Sequence, residues 1–485
     1  MIDEVLIDAG LLETRVALVS EGQLREVVVE PRARESLVGD IFLGRVVRVV
    51  PGLQAAFVDL GLDHDGFLHG REARFAPSAP VGEGGRAPDI SDCVSEGEAL
   101  YVQVTRDPIG DKGSRLTTNL TLPGRHLVFT PLQTGVAVSR RISDDDERAR
   151  LEDLVAGVAA ADEGFVVRTA AEGAGVEEIE AEAARLRARW REIEERRGQV
   201  EVPSRQHREP GPVARALRDH VDSGVRKVRV GRADALGEAR RAVDESMPEL
   251  AGRLELFRGP GALFDLYDIE AEIEAALEPR VSLPSGGSLV IEATEALIAI
   301  DVNTGPSADA RGHRDAGFRT NLEAARETAR QIRLRGLAGL IVVDFIQMRA
   351  KADMDEVMAT LREALAHDRT AARVAGPTAF GLAEITRRRV RPSLERMLTE
   401  PCEWCLAGRA KTAPAVAAEI LRQAEREGHE APGRNLSITA APEVIEVLKA
   451  DGGGLAQVLG ERIGAEVRLA EDEDYERTEY DLALE

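Results

Sequence analysis

LIAIDVNTG, residues 297–305, climbs through apolar side chains to Asp301, then carries Asn303 and Gly305. GLIVVDFIQM, residues 339–348, does the same and reaches Asp344. Both runs are short and rich in Ile, Val and Leu, the pattern of strands buried on both faces. Between them RTNLEAARETARQIRLRG (319–336) reads as a helix that stops at Gly336. A strand–helix–strand unit joins parallel neighbours through a right-handed crossover. Parallel neighbours finish on the same sheet edge, where open α/β folds carry their sites. Asp301 and Asp344 are therefore expected side by side. Two carboxylates so placed repel one another unless a cation stands between them. Hard oxygen donors of this kind suit Mg²⁺, which accepts one or two carboxylates together with a phosphate and keeps its remaining waters. Asn303, two residues past Asp301, faces the same way and can orient a phosphate or a metal-bound water. Either aspartate alone is as well explained as a turn starter or helix cap; the pair with Asn303 points to function.

The chain around this unit is 485 residues long, enough for several domains. Apolar content of 43% and charged content of 31% are those of a globular protein. No apolar run approaches the roughly 20 residues of a membrane span, and MIDEVLIDAG lacks the layout of a secretory leader. A cytoplasmic protein is expected. Three cysteines, Cys93, Cys402 and Cys405, are too few for a disulfide framework and fit a reducing compartment. A net charge of −23 argues against nucleic-acid binding by the chain as a whole. The charge is uneven, however. EDEDYERTEYDLALE (471–485) holds eight acids and one arginine, whereas residues 311–349 hold eight arginines against four acids, and ITRRRVRPSLER (385–396) adds five more arginines. Local basic clusters leave nucleic-acid binding open.

Along the chain, EVLIDAG, TRVALVS and LREVVVE read as an antiparallel meander. Short β runs punctuated by Gly over 39–72, with EALYVQVTRD and KGSRLTTNL, suggest a five-stranded barrel of OB type. The Pro/Gly-rich 77–92 reads as a loop inserted in it. EEIEAEAARLRARWREIEERR (177–197) reads as a solvated helix laced with (i, i+4) charge pairs. QVEVPSRQHREPGP (199–212) reads as a linker. After Ala413 a smaller α/β piece is expected, with NLSITAAPEVIEVLK as strand then helix.

LPSGGSLVIEATEALIAIDVNTG, NLEAARETARQIRLRGLAGLIVVDFIQM and FGLAEITRRRVRPSL resemble the catalytic core of the bacterial ribonuclease E/G family. AAFVDLGLDHDGFL, GDKGSRLTTNLTLPG and SRRI resemble its N-terminal half. The likeness runs to about residue 412, and the length resembles the family's ribonuclease G branch. The resemblance implies an α/β multidomain fold. An RNase H-like domain would be split between 1–35 and 213–277, interrupted by an OB-fold RNA-binding barrel (36–118) and a 5′-end sensing region with linker (119–212). A deoxyribonuclease-I-like catalytic domain (278–399), a zinc-link (400–412) and a small C-terminal domain with the acidic tail (413–485) would follow. The RNase H-like part shows no clustered carboxylates in the sequence and is expected to be structural.

The resemblance further implies a Mg²⁺-dependent endoribonuclease cutting single-stranded RNA, in rRNA processing and RNA turnover, and leaving 5′-phosphate and 3′-hydroxyl ends. Asp301 and Asp344 match the metal-binding aspartates and Asn303 their partner. Gln347 stands where relatives usually carry another acid. Phe57, Phe67 and Lys112 match RNA contacts on the barrel; aromatics on such a face stack on bases, although Phe57 within QAAFVDL also fits a core position. Arg168 and Thr169 in GFVVRTAAEG, with the backbone of Val128, match a pocket for a 5′-monophosphate; the plainer reading of Arg168 is a surface ion pair. Ala171 replaces the usual glycine there, which matters if the position needs φ > 0. Arg387, Arg388 and Arg389 are expected on a helix, neutralising RNA phosphates near the catalytic edge or simply facing solvent.

CEWC (402–405) offers two of the four ligands of a structural zinc site. A second copy of the chain would supply the others, which implies a homodimer around Zn²⁺, or a tetramer of two such dimers; a redox pair or free thiols are the alternatives. The competing reading of the whole is a non-catalytic single-stranded RNA-binding protein that has lost cleavage. A metal phosphodiesterase acting on DNA is a third.

Overall fold

The structure is a computed structural model; it describes residues 2–31, 36–73, 89–108, 113–139, 141–142, 144–221, 224–259, 261–305, 313–348, 350–366, 368–370, 372–402, 408–450 and 454–485. The chain divides into two compact units. One comprises Met1–Ala33, Gly224–Gly237 and Arg253–Glu485; the other comprises Arg34–Ser223 and Glu238–Gly252. Among the described residues no helix is long and apolar enough to cross a membrane.

The first unit holds three main sheets. In one, Glu4–Ala9, Glu13–Ser20 and Gln23–Pro31 form the expected antiparallel meander. Lys227–Val230 adds to it parallel to Glu4–Ala9, and Leu254–Leu256 adds parallel to Lys227–Val230. Carboxylates do cluster here, contrary to the expectation: Asp8, Glu13 and Glu270 all approach the buried guanidinium of Arg15. Asp8 and Glu13 are local to Arg15, but Glu270 comes from far along the chain, so only the fold completes the cluster. A second sheet runs in the order Arg280–Ser282, Ser288–Ala293, Ile298–Asn303, Gly339–Asp344, Ala383–Arg387, Ala372–Ala375. Helix His313–Leu334 makes the crossover between its two parallel strands and ends before Gly336, whose φ of +65° stops the helix. Ile300, Val302, Ile341, Val343 and Ile385 pack with Ala325, Ala329, Val357 and Leu361 into one core. The third sheet centres on Leu436–Ala440. The acidic segment read as a tail contributes its strand Tyr480–Leu484, antiparallel to Leu436–Ala440. Tyr480, Leu482 and Leu484 turn to the core while Asp481 stays exposed, so period-two burial outweighs the charge.

The second unit holds the barrel. Ile41–Val50, Ala55–Asp59, Gly66–His69, Arg115–Thr117 and Ala99–Arg106 pair in that order, and Ile41–Arg45 pairs with Ala99–Gln103 to close the ring. Phe42, Val46, Val58, Leu68, Val102 and Leu116 fill it. The segment read as a linker instead supplies Ser204–His207, an extra strand on Ile41–Leu43. Its polar sequence gave no strand signal because it sits on an edge and needs no buried face of its own. Most of the expected inserted loop lies outside the described residues; its end forms the short helix Ile90–Cys93. A separate sheet orders Gly135–Val138, Gly164–Val167, Leu127–Thr130 and Leu122–Pro123. Helix Val176–Arg196 is not solvated all round, because Ile179, Ala183, Leu186, Trp190 and Ile193 are buried at helical spacing.

Candidate functional site

Asp301 and Asp344 are register partners on the parallel central strands of their sheet. Ile300 and Val343, one residue earlier on each strand, pair in the core, so alternation turns both aspartates to the open face. Both are exposed, as is Asn303, whose Nδ2 donates to Asp301 Oδ2 at 2.7 Å. That bond fixes the amide; among the described residues Asp301 Oδ1 and both oxygens of Asp344 take part in no hydrogen bond from a side chain. Among the described residues neither aspartate forms an ion pair with an arginine, lysine or histidine. An arrangement of in-register carboxylates without countercharge is one that an oxygen-seeking divalent cation would relieve.

Residues not singled out in the sequence hold this edge in shape. Asn321, fully buried on the crossover helix, donates from Nδ2 to Ile346 O at 2.8 Å and accepts from Ile346 N at 3.0 Å. Both backbone groups two residues beyond Asp344 are thereby satisfied by one side chain. An asparagine amid the apolar positions of a helix was the available signal, since such a residue is unfavourable there without a partner. Gly305 is required by close approach: a Cβ there would lie 2.2 Å from Gly286 O. Gln347, where an acid was expected, is exposed just past this anchored turn.

The arginine cluster departs from expectation. Ala383–Arg387 is a strand, not a helix. Its residues alternate buried and exposed, and Arg387 falls on the buried side. Its Nε donates to Asp368 Oδ2 at 2.7 Å and its Nη2 to Oδ1 at 3.0 Å, so its charge is neutralised internally and it is no surface RNA contact. Arg387 also pairs in register with Gly339, the opposite end of the strand that finishes at Asp344. At about 3.3 Å per residue the cluster stands roughly 16 Å from the aspartate edge. Arg388 and Arg389 are exposed at that far end.

On the barrel, Phe57 and Phe67 are register partners with ring centroids 5.8 Å apart, meeting edge to face. Each is half-buried between buried neighbours, so Phe57 belongs to the outer face and not to the core. The register extends the row: exposed Arg48 pairs with Phe57, Arg115 with Phe67, and Arg106 with Arg115. The Arg115 guanidinium carbon lies 5.9 Å from the Phe67 centroid. Arginines thus flank the aromatic pair on both sides, a combination of cations and stacking surfaces typical of single-strand binding faces. Lys112 lies outside the described residues.

In the neighbouring sheet Arg168 follows Gly164–Val167 and Thr169 opens a single 3₁₀ turn, Thr169–Ala171. Val128 is half-buried opposite Val166. Thr169 Oγ1 is 3.0 Å from Ser139 Oγ. Ala171 is buried and does not have positive φ, so the missing glycine costs the turn nothing. Of the cysteines, Cys402 is half-buried beside the hairpin Thr399–Pro401/Arg409–Lys411; its N–H donates to Gly408 O at 2.9 Å. Cys405 lies outside the described residues.

The fold and the paired aspartates thus describe a mixed α/β chain with an aromatic-faced closed barrel and a two-carboxylate sheet edge. Residues 121–390 match the model of the Ribonuclease E/G family. The chain is 40% identical over 487 residues to Ribonuclease G of Haemophilus influenzae, covering 99% of each. It is 39% identical to Ribonuclease G of Escherichia coli over the whole of both. With Ribonuclease E of Escherichia coli it shares 36% identity over 86% of this chain and 39% of that one. The chain belongs to the ribonuclease E/G family.

Proposed function

We propose that this chain is a Mg²⁺-dependent endoribonuclease that binds single-stranded RNA and senses a 5′-monophosphate, in rRNA processing and RNA turnover. Membership of the family, with ribonuclease G relatives aligned from end to end, makes it an endoribonuclease. The observation that carries the metal reading is the in-register pair Asp301 and Asp344, free of countercharge among the described residues. These two would hold Mg²⁺, which when bound supplies an activated water and offsets charge on the phosphoryl oxygens. Asn303, tethered to Asp301 by one N–H, keeps a second N–H and its carbonyl oxygen to orient the scissile phosphodiester. Attack in line at phosphorus would leave a 5′-phosphate and a 3′-hydroxyl.

Phe57 and Phe67 would stack on bases at about 1–3 kcal/mol each, with Lys112 and the exposed Arg48, Arg106 and Arg115 beside backbone phosphates. Arg168, Thr169 and the backbone of Val128 would receive the 5′-phosphate. In this reading the meander sheet belongs to an RNase H-like domain, the sheet of Asp301 to a deoxyribonuclease-I-like one, and Cys402 with Cys405 to a zinc-link that joins two copies. Cys402→Ser with Cys405→Ser should then shift the native mass to that of one chain, and an unchanged mass would count against the link.

The decisive experiment is cleavage of a 5′-monophosphorylated single-stranded RNA in Mg²⁺ by the wild-type chain and by Asp301→Asn. Activity in the first and background in the second is expected. Background in both would sink the nuclease and favour a binding protein, and a 2′-deoxy substrate in parallel separates RNA from DNA cleavage.

A further inference from the structure

Arg168 is held at two points. Its Nη1 donates to Gly124 O at 2.5 Å and its Nη2 to Asp219 Oδ1 at 2.7 Å. Each point is itself fixed. The turn after Gly124 is pinned by Glu182, a buried carboxylate that accepts from the N–H groups of His126 and Leu127. A Cβ at Gly124 would lie 2.0 Å from Glu182 Oε1, so only glycine lets the carboxylate in. Asp219, in the last turn of helix Pro212–His220, accepts from Arg218 Nε at 3.0 Å on Oδ1 and from Arg218 Nη2 at 2.9 Å on Oδ2. Arg218 in turn donates to Glu209 Oε1 at 2.5 Å. Glu209, Arg218, Asp219 and Arg168 form one chain of charge-assisted bonds, which are roughly twice as strong as neutral ones.

A guanidinium carries five N–H donors. Gly124 and Asp219 take one each, from different nitrogens, and among the described residues three remain. The side chain of Arg168 keeps a quarter of its surface exposed, so the remaining donors can reach a ligand. With both nitrogens anchored, the plane of the fork is set before anything binds, and a ligand need not supply the ordering. Burial pushes the Asp219 carboxyl up, but Arg218 and then Arg168 outweigh it and hold the group well below the usual carboxylate range. It is therefore an anionic acceptor throughout the working pH range.

We propose that Asp219 is a positioning residue for 5′-end recognition, setting the guanidinium edge that Arg168 presents to a terminal phosphate; this rests on the 5′-end reading above. The ligand is a phosphomonoester, whose oxygens accept two parallel N–H bonds, and Asp219 acts only through Arg168.

The test compares kcat/KM on two single-stranded RNAs of one sequence, one with a 5′-monophosphate and one with a 5′-hydroxyl, using the full chain with Mg²⁺. Wild type should prefer the monophosphate and Arg168→Ala should lose that preference. Asp219→Ala should lower the ratio about tenfold, the worth of one charge-assisted hydrogen bond, chiefly through KM of the monophosphorylated RNA. Asp219→Asn keeps an oxygen where Arg168 donates and should restore most of the ratio. An unchanged ratio in Asp219→Ala, where Arg168→Ala abolishes it, would overturn the proposal. So would an equal fall on both RNAs, which marks a merely structural residue. If wild type and Arg168→Ala both treat the two ends alike, the 5′-end reading itself fails and this proposal with it.

Discussion

Two sheets of the same unit gather carboxylates, and they treat them in opposite ways. Around Arg15, Asp8 and Glu270 each approach the guanidinium to 2.8 Å and Glu13 to 3.7 Å. The guanidinium, 4% exposed, also lies 4.4 Å from the Phe264 ring centroid. The countercharge is built into the chain, and the cluster is closed. In the other sheet Asp301 and Asp344 stand side by side, exposed, with only the Asn303 amide bonded to Asp301. A concentration of acids therefore says little by itself. What separates a strut from a site is whether the fold also supplies the cation.

That contrast can be broken most sharply at Asp301. Asp301→Asn should cost roughly three to four powers of ten in cleavage rate, the several kcal/mol a metal contributes. Its thermal unfolding should stay within about 0.5 kcal/mol, as for surface substitutions generally; a large loss of stability would make the two clusters alike. Arg15→Ala should behave inversely. Removing one partner of a buried charge group costs about 3–5 kcal/mol, readable in denaturant unfolding. A mild effect there would show that the guanidinium is not what offsets the carboxylates.

A pH series sharpens the same point. Burial raises the Glu270 carboxyl, yet Arg15, with Arg422 and Arg426, outweighs it and the net shift is downward. A carboxyl depressed in the folded state contributes stability that is fully present above its unfolded pKa, about 4.3, and is lost as pH falls through the folded value. The stability difference between wild type and Arg15→Ala should thus be largest near neutrality and shrink below about pH 4. The smallest effect is expected from Gln347→Asp, which adds an acid beside the open pair. It should lower the Mg²⁺ concentration for half-maximal cleavage by about two- to fivefold, the worth of one solvent-screened charge near a cation. No shift in a Mg²⁺ titration would remove Gln347 from the metal's surroundings.

The open pair was legible because two apolar runs each ended in an acid and a helical segment lay between them. Crossover handedness and strand direction did the rest. The closed cluster was not legible, since Asp8 and Glu270 meet only after the strand and a helix some 260 positions apart have packed. Arg387 shows a subtler limit. AEITR alternates in burial as a strand does, but five arginines nearby made it look like a solvated helix, and nothing local announces Asp368 as partner. The edge strand Ser204–His207 has no pattern of its own because its pairing is dictated by the barrel it joins. On the helix Val176–Arg196 the signal was present, as Ile179, Ala183, Leu186, Trp190 and Ile193, but charge density on the other positions masked it.

The meander sheet has a temporal consequence. Glu4–Ala9 can pair with Lys227–Val230 only after the whole of Arg34–Ser223 has left the ribosome. Until then the meander presents a bare edge, a template for pairing with the wrong chain. If the intervening unit folds first, the two halves are no longer joined by a long flexible loop, whose closure entropy grows with its length. Mutations that slow the barrel should therefore lower the yield of soluble enzyme through a sheet they never touch.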